Sequence, residues 1–224
     1  MTTENNVYID IETIPSQEPW VREYCDETVK PPGTLKKPES IQKWMEEDRD
    51  DAINEAIDKM GFDGSSNHII SIGVAIGENP AVSFDTLDIA GEKKIIEDFY
   101  TYVTQNTTVT APTFIGHNIS GFDLKIIRQR TIIMGVTRPT KRHFPFTAKP
   151  WDTNPFDTMV QWDPKNYIKL DRLARAFGIQ GKDGMDGSKV YGAWKEGRIE
   201  EIAKYCREDV EMTRAVYKRM VGLA

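Results

Sequence analysis

Residues 7–13, Val-Tyr-Ile-Asp-Ile-Glu-Thr, constrain this chain more than any other stretch. β-Branched and aromatic residues in strict alternation predict a strand. The alternation puts Asp10 and Glu12 on one face and Ile9 and Ile11 on the other. The apolar face has to be covered. Two neighbouring carboxylates repel each other and resist burial unless a cation lies between them. A solvated edge strand satisfies the same pattern, so the choice rests on what the rest of the chain brings to those acids.

The chain has 224 residues, 39% of them hydrophobic, and five Trp, enough for a folded core. The expectation is a single domain over 1–224 with an inserted segment at about residues 25–67. A short helix is expected at 19–24. Ile41, Trp44, Met45, Ala52, Ile53, Ala56, Ile57 and Met60 recur at helical spacing and predict a core-packing helix over 38–60. Strands are predicted at 68–77, 81–84 and 113–116, the first two as a hairpin. Helices are predicted at 92–104, 121–134, 170–177 and 199–220. This alternation points to the α/β or α+β class, with helices packed on a sheet.

No apolar run approaches the roughly 18 residues that span a bilayer, and residues 1–6 are polar, so a soluble, cytoplasmic protein without a membrane partner is expected. Cys25 and Cys206 lack metal-type spacing and read as free thiols. The net charge of −6 argues against a generic nucleic-acid coat protein, yet its distribution is uneven. Residues 39–63 carry nine acids against three bases, whereas 124–151 carry seven bases (Lys125, Arg128, Arg130, Arg138, Lys141, Arg142, Lys149) and no acid. With Phe144, Phe146 and Trp151, the loop around Arg138, Lys141 and Arg142 has the charge and stacking surface of a single-strand channel.

Two further acidic sites stand out. Asp123 falls at the start of a helix just after a strand, where the helix dipole favours a carboxylate. Tyr205 and Asp209, four apart on the last helix, share a face beside the apolar stripe Ile202, Cys206, Val210, Thr213 and Tyr217. Asp10, Glu12, Asp123 and Asp209 thus come from one strand and two helices. Oxygen donors without a His or Cys cluster select Mg²⁺ or Mn²⁺. Two such ions about 3.5–4 Å apart are a known means of hydrolysing a phosphodiester.

Asp10-Ile-Glu12, Asn118-Ile-Ser-Gly-Phe122-Asp123 and Tyr205-Cys-Arg-Glu-Asp209 resemble the three motifs of the DnaQ-like (DEDD) 3′–5′ exonucleases, in their tyrosine branch. More narrowly, the chain resembles the stand-alone predicted 3′–5′ exonucleases of bacteria and phages, related to the proofreading domain of family B DNA polymerases. The likeness extends to Gly116-His117-Asn118, residues 182–190 and the final helix. The resemblance implies an α/β, ribonuclease H-like fold, a mixed five-stranded sheet flanked by helices. It implies that Asp10 bridges two divalent ions, that Glu12 and Asp209 complete the site of the ion binding the attacking water, and that Asp123 holds the second. Tyr205 would orient the water, and 5′-mononucleotides would leave from a 3′ end of single-stranded DNA, with RNA the alternative. A polymerase or repair partner in trans is compatible with this. A non-catalytic DNA-end-binding module and an endonuclease of the same broad fold are the other readings.

His117 reads as a structural residue at a strand end or a nucleic-acid contact, Asn118 as the organiser of the turn before Asp123 or a base contact, and Phe122 as a core or base-stacking aromatic. Asp157 is a possible fifth acid. Residues 182–189 lack the order of a phosphate loop and are expected to shape a cleft wall, with Ser188 capping a short helix.

Overall fold

The computed structural model of the protein describes residues 3–61, 63–146, 149, 152–181 and 184–223. β1 (Asn6–Pro15) is followed by three helices, α1 (Pro19–Thr28), α2 (Pro38–Glu47) and α3 (Arg49–Met60). Next come β2 (Asn67–Ile76), β3 (Val82–Asp85), α4 (Glu92–Asn106), β4 (Thr113–Gly116) and α5 (Asp123–Ile133). The chain closes with β5 (Phe156–Asp157), α6 (Thr158–Trp162), α7 (Leu170–Ala176), α8 (Val190–Lys195) and α9 (Ile199–Met220). The five strands form one sheet in the order β3-β2-β1-β4-β5. β1 runs antiparallel to β2 and parallel to β4, so the sheet is mixed, as expected.

Alternation along β1 decides what covers each side. Val7, Ile9 and Ile11 enter the main core with Ile96 and Phe99 of α4 and Ile126 of α5. On the other face Tyr8 packs with Val210 and Tyr217 of α9, and Ile14 packs with Val190 of α8 and Ile202 of α9. Asp10 and Glu12 lie between these two apolar anchors, on the face that α9 crosses. At Gly73, opposite Asp10, an added Cβ would lie 2.9 Å from both Cys206 Sγ and Val210 Cγ2. The bare backbone there lets α9 approach the sheet closely.

The register slips after Glu12: Glu12 faces Ser71 but Thr13 faces Ile69. The extra residue, Ile70, is a bulge that turns its side chain to the α8–α9 side. Parallel pairing of β1 with β4 stops at Tyr8 and Ile115, and β4 ends at Gly116. Beyond Tyr8, that edge of β1 is left for other groups to satisfy.

The expected helix over 38–60 is two helices that meet at Asp48. Because the break resets the helical phase, Trp44 and Ile53 are buried while Met45 is 47% exposed instead of packing. The helix expected at 19–24 continues to Thr28. β5, α6 and α8 are too short to show a period. The cap before α8 comes from Asp186, whose carboxylate accepts the Ser188 N–H at 3.0 Å, and not from Ser188. Lys182, at the head of the expected cleft wall, and Trp151, one of the expected stacking residues, lie outside the described residues.

A buried ion-pair network that the sequence pattern did not suggest ties the first half together. Glu92, at the start of α4, accepts from Arg130 of α5 through both carboxylate oxygens, at 2.7 and 2.6 Å, and from the Ile69 N–H at 2.9 Å. His68 Nδ1 lies 3.0 Å from the same carboxylate. Arg130, read from sequence as part of a basic run, is therefore a core residue.

Candidate active site

The alternation of β1 delivers Asp10 and Glu12 to the face beneath α9, where Cys206 reaches back to them. Ligand atoms of Asp10, Glu12 and Cys206 all lie within 4.8 Å of one another. The Cys206 thiol donates to the Asp10 carbonyl oxygen at 3.4 Å. Burial, with the Asp10 and Glu12 charges beside it, raises the thiol well above its ordinary pKa. The thiol proton is engaged by the main chain, and Asp10 and Glu12 supply the carboxylate oxygens of this group.

Asp123 enters from the opposite face. It is the first residue of α5, fully in the interior, and its Oδ1 accepts the Ile11 N–H at 3.0 Å. That N–H belongs to the stretch of β1 that β4 no longer pairs. Burial, and then the charges of Asp157 and Asp209, push the Asp123 carboxyl from 3.8 up to about 7. On α9, one helical turn brings half-buried Tyr205 and buried Asp209 to the same edge. The Tyr205 phenol is held above its usual pKa of 10 by burial and by Asp209, Glu12 and Asp10, in that order. A single phenol thus feels three of the four expected carboxylates, and Asp123 feels Asp209. Asp10, Glu12, Tyr205 and Asp209 thus feel one another where α9 crosses β1, and Asp123 is tied to the same strand through the Ile11 N–H.

The turn from β4 into α5 is braced by residues of β5 and α6. Asn118 adopts φ 63°, and its carbonyl accepts the N–H groups of Gly121 and Phe122. Asp157 is almost fully buried and accepts the N–H groups of Asn118 (2.9 Å), Ser120 (3.1 Å) and Met159 (3.1 Å). It therefore fixes the turn and caps α6 at once. His117 Nε2 donates to the Ile168 carbonyl at 2.7 Å, and its Nδ1 is 2.9 Å from Thr158 Oγ1. A carbonyl only accepts, which puts the proton on Nε2. Burial lowers the His117 pKa, so the ring is neutral at neutral pH. Phe122 packs on the main core.

Arg138, Lys141 and Arg142 are not brought to this cluster. Arg142 donates to Thr107 Oγ1 at 2.7 Å and to the Thr104 and Thr107 carbonyls, closing the C-terminus of α4. The His143 N–H donates to the Thr110 carbonyl, ahead of β4, whereas the acidic cluster lies beyond its other end. Phe144 is buried in the core against Phe99, Tyr100 and Phe114. The Arg138 guanidinium sits 5.7 Å from the centre of the Phe146 ring. The basic and aromatic signal of this loop thus includes a helix cap and core filling, which composition alone does not separate from a binding channel. Of the residues that brace this turn, Asp157 carries the faintest sequence signal, an acid followed by Thr at the start of a helix.

Strand order, mixed pairing and helices on both faces define a ribonuclease H-like α/β fold. The family model described as "Predicted 3'-5' exonuclease related to the exonuclease domain of PolB" matches residues 65–224, and the chain belongs to that family. Asp10 and Glu12 precede the matched region and are joined to it by the fold. The chain is similar in structure to a family B DNA polymerase from the hyperthermophilic archaeon Pyrobaculum calidifontis, with a TM-score of 0.60 and 16% sequence identity. The likeness covers 96% of this chain and 24% of the polymerase, so this chain spans about a quarter of that protein's length. No curated protein matches the chain. Among the described residues no helix is long and apolar enough to cross a membrane.

Proposed function

We propose that the chain is a divalent-metal-dependent 3′–5′ exonuclease that removes 5′-mononucleotides from single-stranded DNA ends. One observation supports the reading: Asp10 and Glu12 share a face of β1, Asp123 of α5 bonds to that strand, and Tyr205 of α9 feels Asp10, Glu12 and Asp209, in a chain whose family is that of predicted 3′–5′ exonucleases. The donor set fits hard cations. Oxygen donors predominate, and burial together with the charges of Asp157 and Asp209 raises Asp123 to about 7, a condition that bound Mg²⁺ or Mn²⁺ would relieve. Asp10, Glu12, Asp123 and Asp209 would hold the ions. Two such ions supply Lewis acidity, lowering the pKa of a water and offsetting charge that develops on the scissile phosphate.

The remaining roles belong to the protein's own groups. The Tyr205 phenol stays protonated at neutral pH, so it acts by hydrogen bonding and orients the attacking water. Asp157 and Asn118 keep the turn rigid and thereby hold Asp123 in register with β1. Neutral His117 fastens the 168 region to the same turn. Two buried free cysteines, Cys25 and Cys206, suit a reducing, cytoplasmic setting.

The test compares linear and circular single-stranded DNA with Mg²⁺ present. The linear strand is expected to be degraded to 5′-mononucleotides and the circle to survive. Nicking of the circle would make the protein an endonuclease. Cleavage of linear RNA with DNA left intact would replace the substrate.

A further inference from the structure

Between Asp157 and Ile168 the chain makes an excursion whose two ends are fastened to the turn before α5. At one end the Asp157 carboxylate accepts the N–H groups of Asn118 and Ser120. At the other, the Ile168 carbonyl accepts His117 Nε2. Between them lie α6 and a tight turn in which the Asp163 carboxylate accepts the N–H groups of Lys165 and Asn166 at 2.9 and 3.2 Å. None of these bonds accounts for the outward face of the excursion.

Trp162 is 49% exposed and Tyr167 68% exposed, although burial of either ring would favour folding. Trp162 is not free to swing: it is braced edge-to-face on Phe177, ring centres 5.5 Å apart. Lys165, Lys169 and Arg172 surround the two rings in sequence, are exposed, and make no ion pair among the described residues. α6 is a five-residue helix, so its far end stands roughly 7 Å along its axis from Asp157. Exposed aromatic rings among unpaired cations, tethered beside a cluster of acids, suit a flexible polyanion with stackable faces. A protein partner would favour fewer lysines at the centre of its contact.

The geometry points to this excursion as the platform for the single-stranded segment next to the 3′ end, with bases stacked on Trp162 and Tyr167 and phosphates met by Lys165, Lys169 and Arg172. This rests on the exonuclease reading. It moves the strand path away from the 138–146 loop, which closes the end of α4, to the 157–172 region, which adjoins the acids.

The test measures binding of a fluorescein-labelled dT12 oligonucleotide to the full chain by anisotropy, in EDTA so that nothing is cleaved. Replacing Trp162 and Tyr167 together by Ala is expected to weaken binding at least tenfold, measured where melting curves show the variant fully folded, and Trp162→Phe alone is expected to keep most of the affinity. An abasic strand of equal length is expected to bind the wild type as weakly as dT12 binds the double variant, with no further loss on substitution. Replacing Lys165 and Lys169 by Ala is expected to reduce the salt slope by about 1.4, two phosphates' worth. Wild-type affinity in the double variant would overturn the platform, as would equal weakening on the abasic strand. The 5′-p-nitrophenyl ester of thymidine monophosphate separates the two ideas in the wild type with Mg²⁺. Hydrolysis of the ester alongside normal strand binding by the double variant would sink the platform and keep the exonuclease. An inert ester together with no strand binding would sink both.

Discussion

The main-chain N–H of Ile11 donates to Oδ1 of Asp123 at 3.0 Å across 112 positions of sequence. This bond occupies the edge of β1 where β4 has ended, and so ties the completeness of the sheet to the ionisable heart of the site. Any change in the Asp123 charge is felt by the strand that carries Asp10 and Glu12.

The Asp123 carboxyl is raised from 3.8 to about 7 by burial and by Asp157 and Asp209. The folded protein therefore holds a proton that the unfolded chain releases, and metal-free stability falls as pH rises from about 4 to about 7. Asp123→Asn keeps an acceptor for the Ile11 N–H and removes the charge. In EDTA at pH 8 the variant is expected to melt several degrees above the wild type. The gain should shrink as pH falls and vanish near pH 4. Melting curves in EDTA across this range check it; a variant that melts lower at pH 8 contradicts the assignment. Its nuclease activity should be lost.

Tyr205→Phe removes a hydroxyl and leaves the carboxylates in place. The expected result is a kcat lower by roughly 10²-fold with Mn²⁺ affinity unchanged. Because burial and three neighbouring carboxylates keep the phenol protonated, no alkaline loss of rate should arise from it below pH 10. Steady-state rates against pH, with metal titrations alongside, separate these effects.

Gly73→Ala tests the close approach of α9. A Cβ at 2.9 Å from Cys206 Sγ and Val210 Cγ2 forces the helix outward and carries Tyr205 and Asp209 with it. Destabilisation of about 1–3 kcal/mol is expected from overpacking. The fall in kcat should exceed what lost folding explains, measured at a temperature where the variant is fully folded. Wild-type turnover would show that the spacing of strand and helix is not critical.

Glu92→Gln tests the buried network. Burial works against the Glu92 charge, but hydrogen bonds from His68, Arg130 and Ile69 outweigh it and hold the carboxyl below 4.5. Its stabilising contribution is present above that value and lost as pH falls through the lowered pKa. The variant leaves Arg130 without its buried partner and should cost about 3–5 kcal/mol in urea unfolding at pH 7. The difference from wild type should narrow in acid.

Much of this was legible in sequence where a period governed the outcome. The two-residue repeat of β1 placed Asp10 and Glu12 together, and the four-residue spacing of α9 placed Tyr205 beside Asp209 at the edge of a buried stripe that the structure retains. Legibility failed where long-range partners decided. Arg130 and Arg142 look alike in a basic run, but one meets Glu92 in the core and the other meets the carbonyls that end α4. Phe144 carries no local mark of its burial against Phe99 and Phe114. Asp157 sits on a two-residue strand with no period to read, and its importance comes from N–H groups some forty positions earlier.

The most direct measurement is the digestion of a 5′-labelled single-stranded DNA oligonucleotide with Mg²⁺, with EDTA, and with Asp10→Ala. A descending ladder is expected with Mg²⁺ and wild-type protein, and an intact band in the other two lanes. An intact strand in all three, or an Asp10→Ala variant that still produces the ladder, would contradict it.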